Sequence, residues 1–273
     1  HHTISKDLNY QLQSTDEILL KLLMRRWHSF LTMQKFVSKR LKKIIVPSKS
    51  SIEDIKDEFK VSKKKMVRIM NGIDLKIFYP DPKILKIPKK IVTVASADVP
   101  LKGLDYLLKA LKEVKKIYPE VSLSIIGERK KGGHTERLIK KMNLEKHINF
   151  FSNLSQTELR RIYCEAELAV IPSLYEGFGF AAVEAMACGI PLISTSGGAL
   201  PEVIKDTGII IEPKSSKDIY TSILRFFSSP DLAKQYSEKA LKRVNSKFSW
   251  EVIAKKYEEQ YFKEIEIYKN ANN

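Results

Sequence analysis

Six short apolar runs separated by amphipathic helical stretches constrain the fold of this chain more than any other feature. They read IVTVA from Ile91, VSLSIIG from Val121, INFF from Ile148, LAVIPS from Leu168, PLIST from Pro191 and GIIIEP from Gly208. Each is largely apolar rather than alternating, the pattern of a strand covered on both faces. Between the first two, Leu104, Leu107, Leu108, Leu111 and Val114 recur at helical spacing. Buried strands alternating with helices predict an α/β domain, a doubly wound parallel sheet with helices on both faces. In such a sheet ligands bind beyond the carboxyl ends of the strands, so residues just after each run are the first candidates for a site.

The first eighty residues read differently. A long basic helix is expected over residues 16–42, carrying Leu22, Leu23, Trp27, Phe30, Val37 and Leu41. KIIVPS from Lys43 predicts a strand, SSIEDIKDEF from Ser50 a short capped helix, and VRIMNGID from Val67 a strand running into a turn. Two strands do not complete an α/β domain. Residues 1–80 are therefore expected to be a partial Rossmann-like unit, 81–90 a Pro-rich linker, 91–248 the complete domain, and 249–273 a helix capped by Ser249 that crosses back to the N-terminal portion. The basic helix admits two readings. Apolar residues at helical spacing favour a core-packed helix with a solvated basic side. Lys21, Arg25, Arg26, Lys35, Lys39 and Arg40 among aliphatic and aromatic residues would also suit a membrane surface.

The formal net charge is +16, which suits phosphate-bearing ligands, an anionic membrane surface or nucleic acid. Lysines are spread from Lys6 to Lys269, without a basic patch interleaved with base-stacking aromatics, so no nucleic-acid partner is expected. Cys164 and Cys188 lie in apolar, helical surroundings and read as small buried residues rather than a disulfide framework. A cytoplasmic location is expected, with peripheral contact at the inner face of the membrane as an option. No Asp-x-Asp pair or His/Asp cluster has ligand spacing, so no metal and no cofactor are expected.

The stretch PSLYEGFGFAAVEAMACGIPLIST, residues 172–195, carries the chemistry. It leaves the carboxyl end of a strand, turns through Gly177-Phe178-Gly179 and enters a helix. A glycine turn ahead of a helix presents unpaired N–H groups at the positive end of the helix dipole, which suits a phosphate. Glu176 and Glu184 flank it, and carboxylates accept hydrogen bonds from hydroxyl-rich groups. A pair of Glu residues alone would more often be a turn residue and a solvated helix residue.

The whole string resembles the signature of retaining, nucleotide-sugar-dependent glycosyltransferases of the GT-B fold, family four, from Pro172 and Ser173 to Gly189 and Pro191. NGID at 71–74, LKGLDYLLKAL from Leu101 and GGALPEVI from Gly197 extend the likeness, which covers residues 40–262 well. The resemblance implies two Rossmann-like domains and metal-free transfer of a hexosyl group from a nucleotide diphosphate sugar to an acceptor hydroxyl with retention. The acceptor is left unspecified: a glycan, a lipid-linked sugar or a small molecule. It implies that Glu176 contacts the transferred sugar and Glu184 the ribose, and that the turn Gly177, Phe178, Gly179 and Phe180 cradles the diphosphate. Lys102, beside Gly103, would neutralise the leaving diphosphate, and His1 or His2 would match a strand-end His near the reacting sugar, unless this pair is a tag remnant. One departure stands out. Ala97 occupies the position where family members carry an Arg, and Arg129 is the candidate replacement. A non-catalytic nucleotide-sugar-binding fragment, or one subunit of a split enzyme completed by a separate N-terminal segment, is the alternative. On the partial-unit reading this chain alone is expected to bind nucleotide without transferring sugar.

Overall fold

In a computed structural model the described residues are 29–272 together with Ile18, Lys21, Leu22 and Arg26. The N-terminal part begins with helix α1 (Phe30–Arg40), then strand β1 (Ile44–Val46), helix α2 (Lys49–Phe59) and strand β2 (Met66–Arg68). β1 and β2 pair in parallel as a two-stranded sheet. Its core is small: Val46, Phe59, Val61 and Met66.

The remainder is built as β3 (Lys90–Val94), α3 (Leu104–Val114), β4 (Ser122–Ile126), α4 (His134–Lys141), β5 (Ile148–Phe151), α5 (Gln156–Glu165), β6 (Leu168–Ile171), α6 (Phe180–Ala187), β7 (Leu192–Thr195), α7 (Leu200–Ile204), β8 (Ile209–Ile211), α8 (Ser216–Ser228) and α9 (Pro230–Lys247). All six expected strands form one parallel sheet in the order β5-β4-β3-β6-β7-β8. Side chains alternate across it. Val92, Ala169, Ile171 and Leu192 join α5, α6, α7 and α9 in one core. Ile91, Leu123, Ile125, Leu168, Val170 and Ile193 join α3, α4 and α8 in the other. Both faces are covered, which is why the strand sequences are mostly apolar, with Ser122 and Ser124 of β4 and the exposed Asn149 of β5 among the exceptions.

The final helix α10 (Trp250–Asn272) starts after Ser249, whose hydroxyl accepts from the Val252 N–H at 3.3 Å. It reaches the N-terminal part through Lys43–Glu264 at 3.4 Å, while Ile73 N–H donates to Phe248 O at 2.7 Å. No helix among the described residues is long and apolar enough to cross a membrane.

The expected core packing of the basic helix is not what the structure shows for its described part. Of α1 only Leu31 is buried, while Met33, Phe36, Val37 and Leu41 are exposed, as is Leu22. The physical reason is the size of the neighbouring unit: a two-stranded sheet and one helix cover less of an amphipathic helix than a complete sheet does. Leu23 and Trp27 lie outside the described residues.

Candidate nucleotide-sugar site

The strand order reverses between β3 and β6, each of which is followed in sequence by an element on a different face. The crevice beyond their carboxyl ends is where an open sheet of this kind offers a ligand site. The loop after β3 carries Lys102 and the loop after β6 carries Glu176. The two meet there, with Lys102 Nζ 2.8 Å from Glu176 Oε1.

Backbone contact sets this meeting. Leu174 N–H donates to Leu101 O at 2.7 Å, tying the two loops together. Lys102 ends a short 3₁₀ turn (Pro100–Lys102), and Gly103 follows at φ +66°. A Cβ on Gly103 would lie 2.0 Å from Pro172 O, so only glycine allows the loops so close together. Glu176 is further fixed by Ser173, whose hydroxyl donates to the same Oε1 at 2.8 Å, and by Ala199 N–H donating to Glu176 O at 2.8 Å. The GGAL segment therefore braces the glutamate from behind. Ser173 carries a side-chain role that its place in the sequence string did not reveal.

After Glu176 the chain turns through Gly177 and Phe178 to Gly179, which sits at φ +96° as the N-cap of α6. Phe178 is buried and packs edge-on against Phe180 and Phe248, anchoring the turn to the start of α10. Phe180 itself is half exposed. Among the described residues no acceptor takes the N–H groups of Phe178, Gly179 and Phe180. The N-terminus of α4 differs. There Asp98 accepts from Thr135 N–H at 2.8 Å and His134 N–H at 3.2 Å, so its donors are already used. A cavity of about 560 Å³ beside it takes in Asp98, Gly103, Lys130 and His134 but neither Lys102 nor Glu176. Among the described residues the N-terminus of α6 thus keeps donors that α4 has used, and Glu176, the partner of Lys102, lies four residues before it.

Glu184 lies on α6, one turn beyond its start, and its carboxylate accepts from the Tyr163 hydroxyl of α5 at 2.9 Å. Burial holds its pKa above the ordinary 4.5, and the Tyr163 hydrogen bond offsets this only in part. Burial first, and the neighbouring carboxylate second, push the Tyr163 phenol well above its usual range. A buried carboxylate with one donor retains acceptor capacity for another hydroxyl.

Arg129 is engaged by an acidic partner. Its guanidinium is held by Glu136 of α4 at 2.5 Å, on the β4–β5 side of the sheet with Ile139, Ile148 and Phe150. Ala97 N–H donates to Glu128 O. His1 and His2 lie outside the described residues.

Comparison with known proteins gives the family and the fold. The family model described as glycosyl transferases group 1 matches residues 80–243. Over 257 residues the chain is 34% identical to the MMP alpha-(1→4)-mannosyltransferase of Mycolicibacterium hassiacum, covering 93% of this chain and 62% of that protein. The chain thus spans less than two thirds of that relative's length. The sucrose-phosphate synthase of Thermosynechococcus elongatus superposes with a TM-score of 0.77 at 26% identity, covering 88% of this chain and 62% of that one. Anabaena HepE in complex with UDP-glucose shares the fold, with a TM-score of 0.77 at 18% identity over 85% of this chain and 67% of its own.

Proposed function

Because the chain belongs to the glycosyl transferases group 1 family, we propose that it carries the donor site for transfer of a hexosyl group from a nucleotide diphosphate sugar to an acceptor hydroxyl, with retention and without a metal ion. The observation that carries this reading is a Lys–Glu pair, 2.8 Å apart, just ahead of a helix N-terminus whose first N–H groups have no acceptor among the described residues. The N–H groups of Phe178, Gly179 and Phe180 hold the diphosphate at the positive end of α6. Lys102 exchanges Glu176 for a phosphate oxygen and neutralises charge that grows on the leaving diphosphate, a contribution made mainly in the transition state. Glu176, so released, accepts hydrogen bonds from the hydroxyls of the transferred sugar, and Glu184 accepts from the ribose. The Lys102–Glu176 pair keeps both charges compensated, so neither is left partly buried and alone. The UDP-glucose bound by Anabaena HepE supports this class of donor.

Calorimetry with UDP, GDP, ADP and pyrophosphate tests the reading. The chain should bind at least one of the nucleoside diphosphates. Glu184→Ala should weaken that binding tenfold or more, roughly 1.5–3 kcal/mol for a charge-assisted hydrogen bond, with pyrophosphate binding little changed. Absence of binding by the parent, or equal affinity in the variant, would overturn it.

A further inference from the structure

Ser48, Ser51 and Asp54 are spaced three residues apart at the start of α2 and so share one helix face. That face meets the loop carrying Glu176. The Ser48 and Ser51 hydroxyls lie 2.8 and 3.0 Å from the Gly177 carbonyl oxygen, each within reach to donate to it. Asp54 accepts from the hydroxyl of Tyr175. The residues on either side of Glu176 are therefore both held by α2. The helix is itself held in place: Glu202 of α7 accepts from the N–H groups of Lys49 at 2.8 Å and Ser50 at 3.2 Å, and from Arg68 at 3.1 Å.

We propose that the first two turns of α2 are a positioning clamp for the Glu176 loop, with Ser48, Ser51, Asp54 and Tyr175 as positioning residues that act on the donor site without touching the donor. The proposal rests on the donor-site reading given above. Its physics is that of the peptide plane. The Gly177 carbonyl and the Phe178 N–H belong to one planar trans peptide and point in opposite directions. Fixing the carbonyl on α2 aims the Phe178 N–H away from α2 and keeps it free for a phosphate. Holding Tyr175 sets the other end of the loop, so Glu176 is directed at Lys102 rather than left to rotate.

The two serines share the task. Their hydroxyls are 2.7 Å apart, and each has one proton, so one hydrogen bond within the pair still leaves a proton for Gly177. Removing one serine leaves the other able to donate. The single variants should therefore be mild and the double variant disproportionately severe, a non-additive pair.

Two double variants carry the test. Ser48→Ala/Ser51→Ala removes both donors. Ser51→Ala/Tyr175→Phe keeps Ser48, which also caps α2 by accepting from Ser51 N–H at 3.1 Å, and so guards against loss of the helix. Hydrogen exchange is read on residues 174–180 and on β6 as the reference, and calorimetry compares UDP with UMP. The serine double variant should exchange its 174–180 amides roughly tenfold faster with β6 unchanged, and should lose roughly tenfold in affinity for UDP but less for UMP. The cap-preserving variant should move in the same direction. A merely structural role would move β6 and loop together and weaken UDP and UMP alike. Unchanged loop exchange in both double variants would overturn the clamp. A parent that binds no UDP, GDP or ADP, with faster loop exchange in the variants, would instead overturn the donor-site reading and leave the clamp standing.

Discussion

The two parallel sheets of this molecule are written in the same local code and end with different physical roles. In each, an apolar strand leads through a helix to a parallel strand. The six-stranded sheet closes two cores, and side chains such as Leu107, Leu111, Leu123, Ile125, Val170 and Leu192 have no exposed surface. The two-stranded sheet gathers four buried side chains and leaves the outer face of α1 open, with Met33 62% exposed and Phe36 57%. The comparison shows what each contributes to the site. The large sheet supplies stability and the charged groups at its switch point. The small one supplies little core but brings polar contacts from α2 to the Glu176 loop.

Core truncation should break the two apart most strongly. Ile125→Ala opens a void in a fully buried layer and should cost about 2–5 kcal/mol. Met66→Ala, in a core that solvent and neighbouring side chains can refill, should cost less than half as much. Denaturant unfolding measures both, and hydrogen exchange should show β1 and β2 opening before β3 to β8. Equal costs, with exchange lost together, would mean that the small core is as strongly built as the large one.

Within the large sheet, the next effect lies at the switch point. Lys102→Ala should reduce nucleoside diphosphate affinity by roughly tenfold to a hundredfold while leaving thermal unfolding close to the parent's, since a cation–phosphate contact is worth about 1.5–3 kcal/mol. Ala97→Arg should tighten binding by supplying a second cation, because Arg129 is engaged by Glu136. A Lys102→Ala variant that binds UDP, GDP and ADP like the parent would remove this lysine from the site.

Much of this was legible in the sequence, for reasons that differ by feature. The strands of the large sheet were readable because coverage by helices on both faces writes mostly apolar runs, clearest in the fully buried β6. Glu176, Glu184 and the glycine turn stood out as candidates because one short segment holds them at fixed spacing. The partners that give these residues their geometry were not. Tyr163 lies twenty-one residues before Glu184, and Ser48 and Ser51 lie 129 and 126 residues from Gly177. Such pairings are made by topology, and no local period records them. The exposed face of α1 was misjudged for a related reason: helical spacing of Phe30, Val37 and Leu41 shows that a helix is amphipathic and says nothing of how large a neighbour it has.

A smaller effect separates the buried carboxylate from the exposed ones. Burial raises the folded-state pKa of Glu184 above 4.5, so between that value and the raised one the folded chain holds a proton that the unfolded chain has released. The stability tied to Glu184 is therefore fully present below about pH 4.5 and lost as pH rises through the raised value. Glu184→Gln should remove this loss, so the variant gains on the parent as the pH is brought from 4 to 7. Parallel pH–stability curves for the two would show that Glu184 is ionised in the fold without penalty. On the donor-site reading proposed above, a bound nucleoside donates to the ionised form, so nucleotide binding in the same pH interval should release protons. Calorimetry in buffers of different ionisation enthalpy reads that release.

The smallest effect tests the seam between the two sheets. Arg68 of β2 pairs with Glu202 of α7 at 3.1 Å, with the arginine side chain 38% exposed. An exposed ion pair of this kind contributes about 0–1 kcal/mol and weakens with salt. Arg68→Ala should therefore change stability and nucleotide affinity only slightly. Glu202 does more, because the same carboxylate accepts from two N–H groups at the first turn of α2. Glu202→Ala exposes that helix end and should cost about 1 kcal/mol more than Arg68→Ala, the usual worth of a helix cap. The difference should persist in high salt, where the ion pair is screened and the hydrogen bonds are not. If the two variants were equal at every salt concentration, the seam would be electrostatic alone. α2 would then be held against the Glu176 loop by the serine and tyrosine contacts without help from α7.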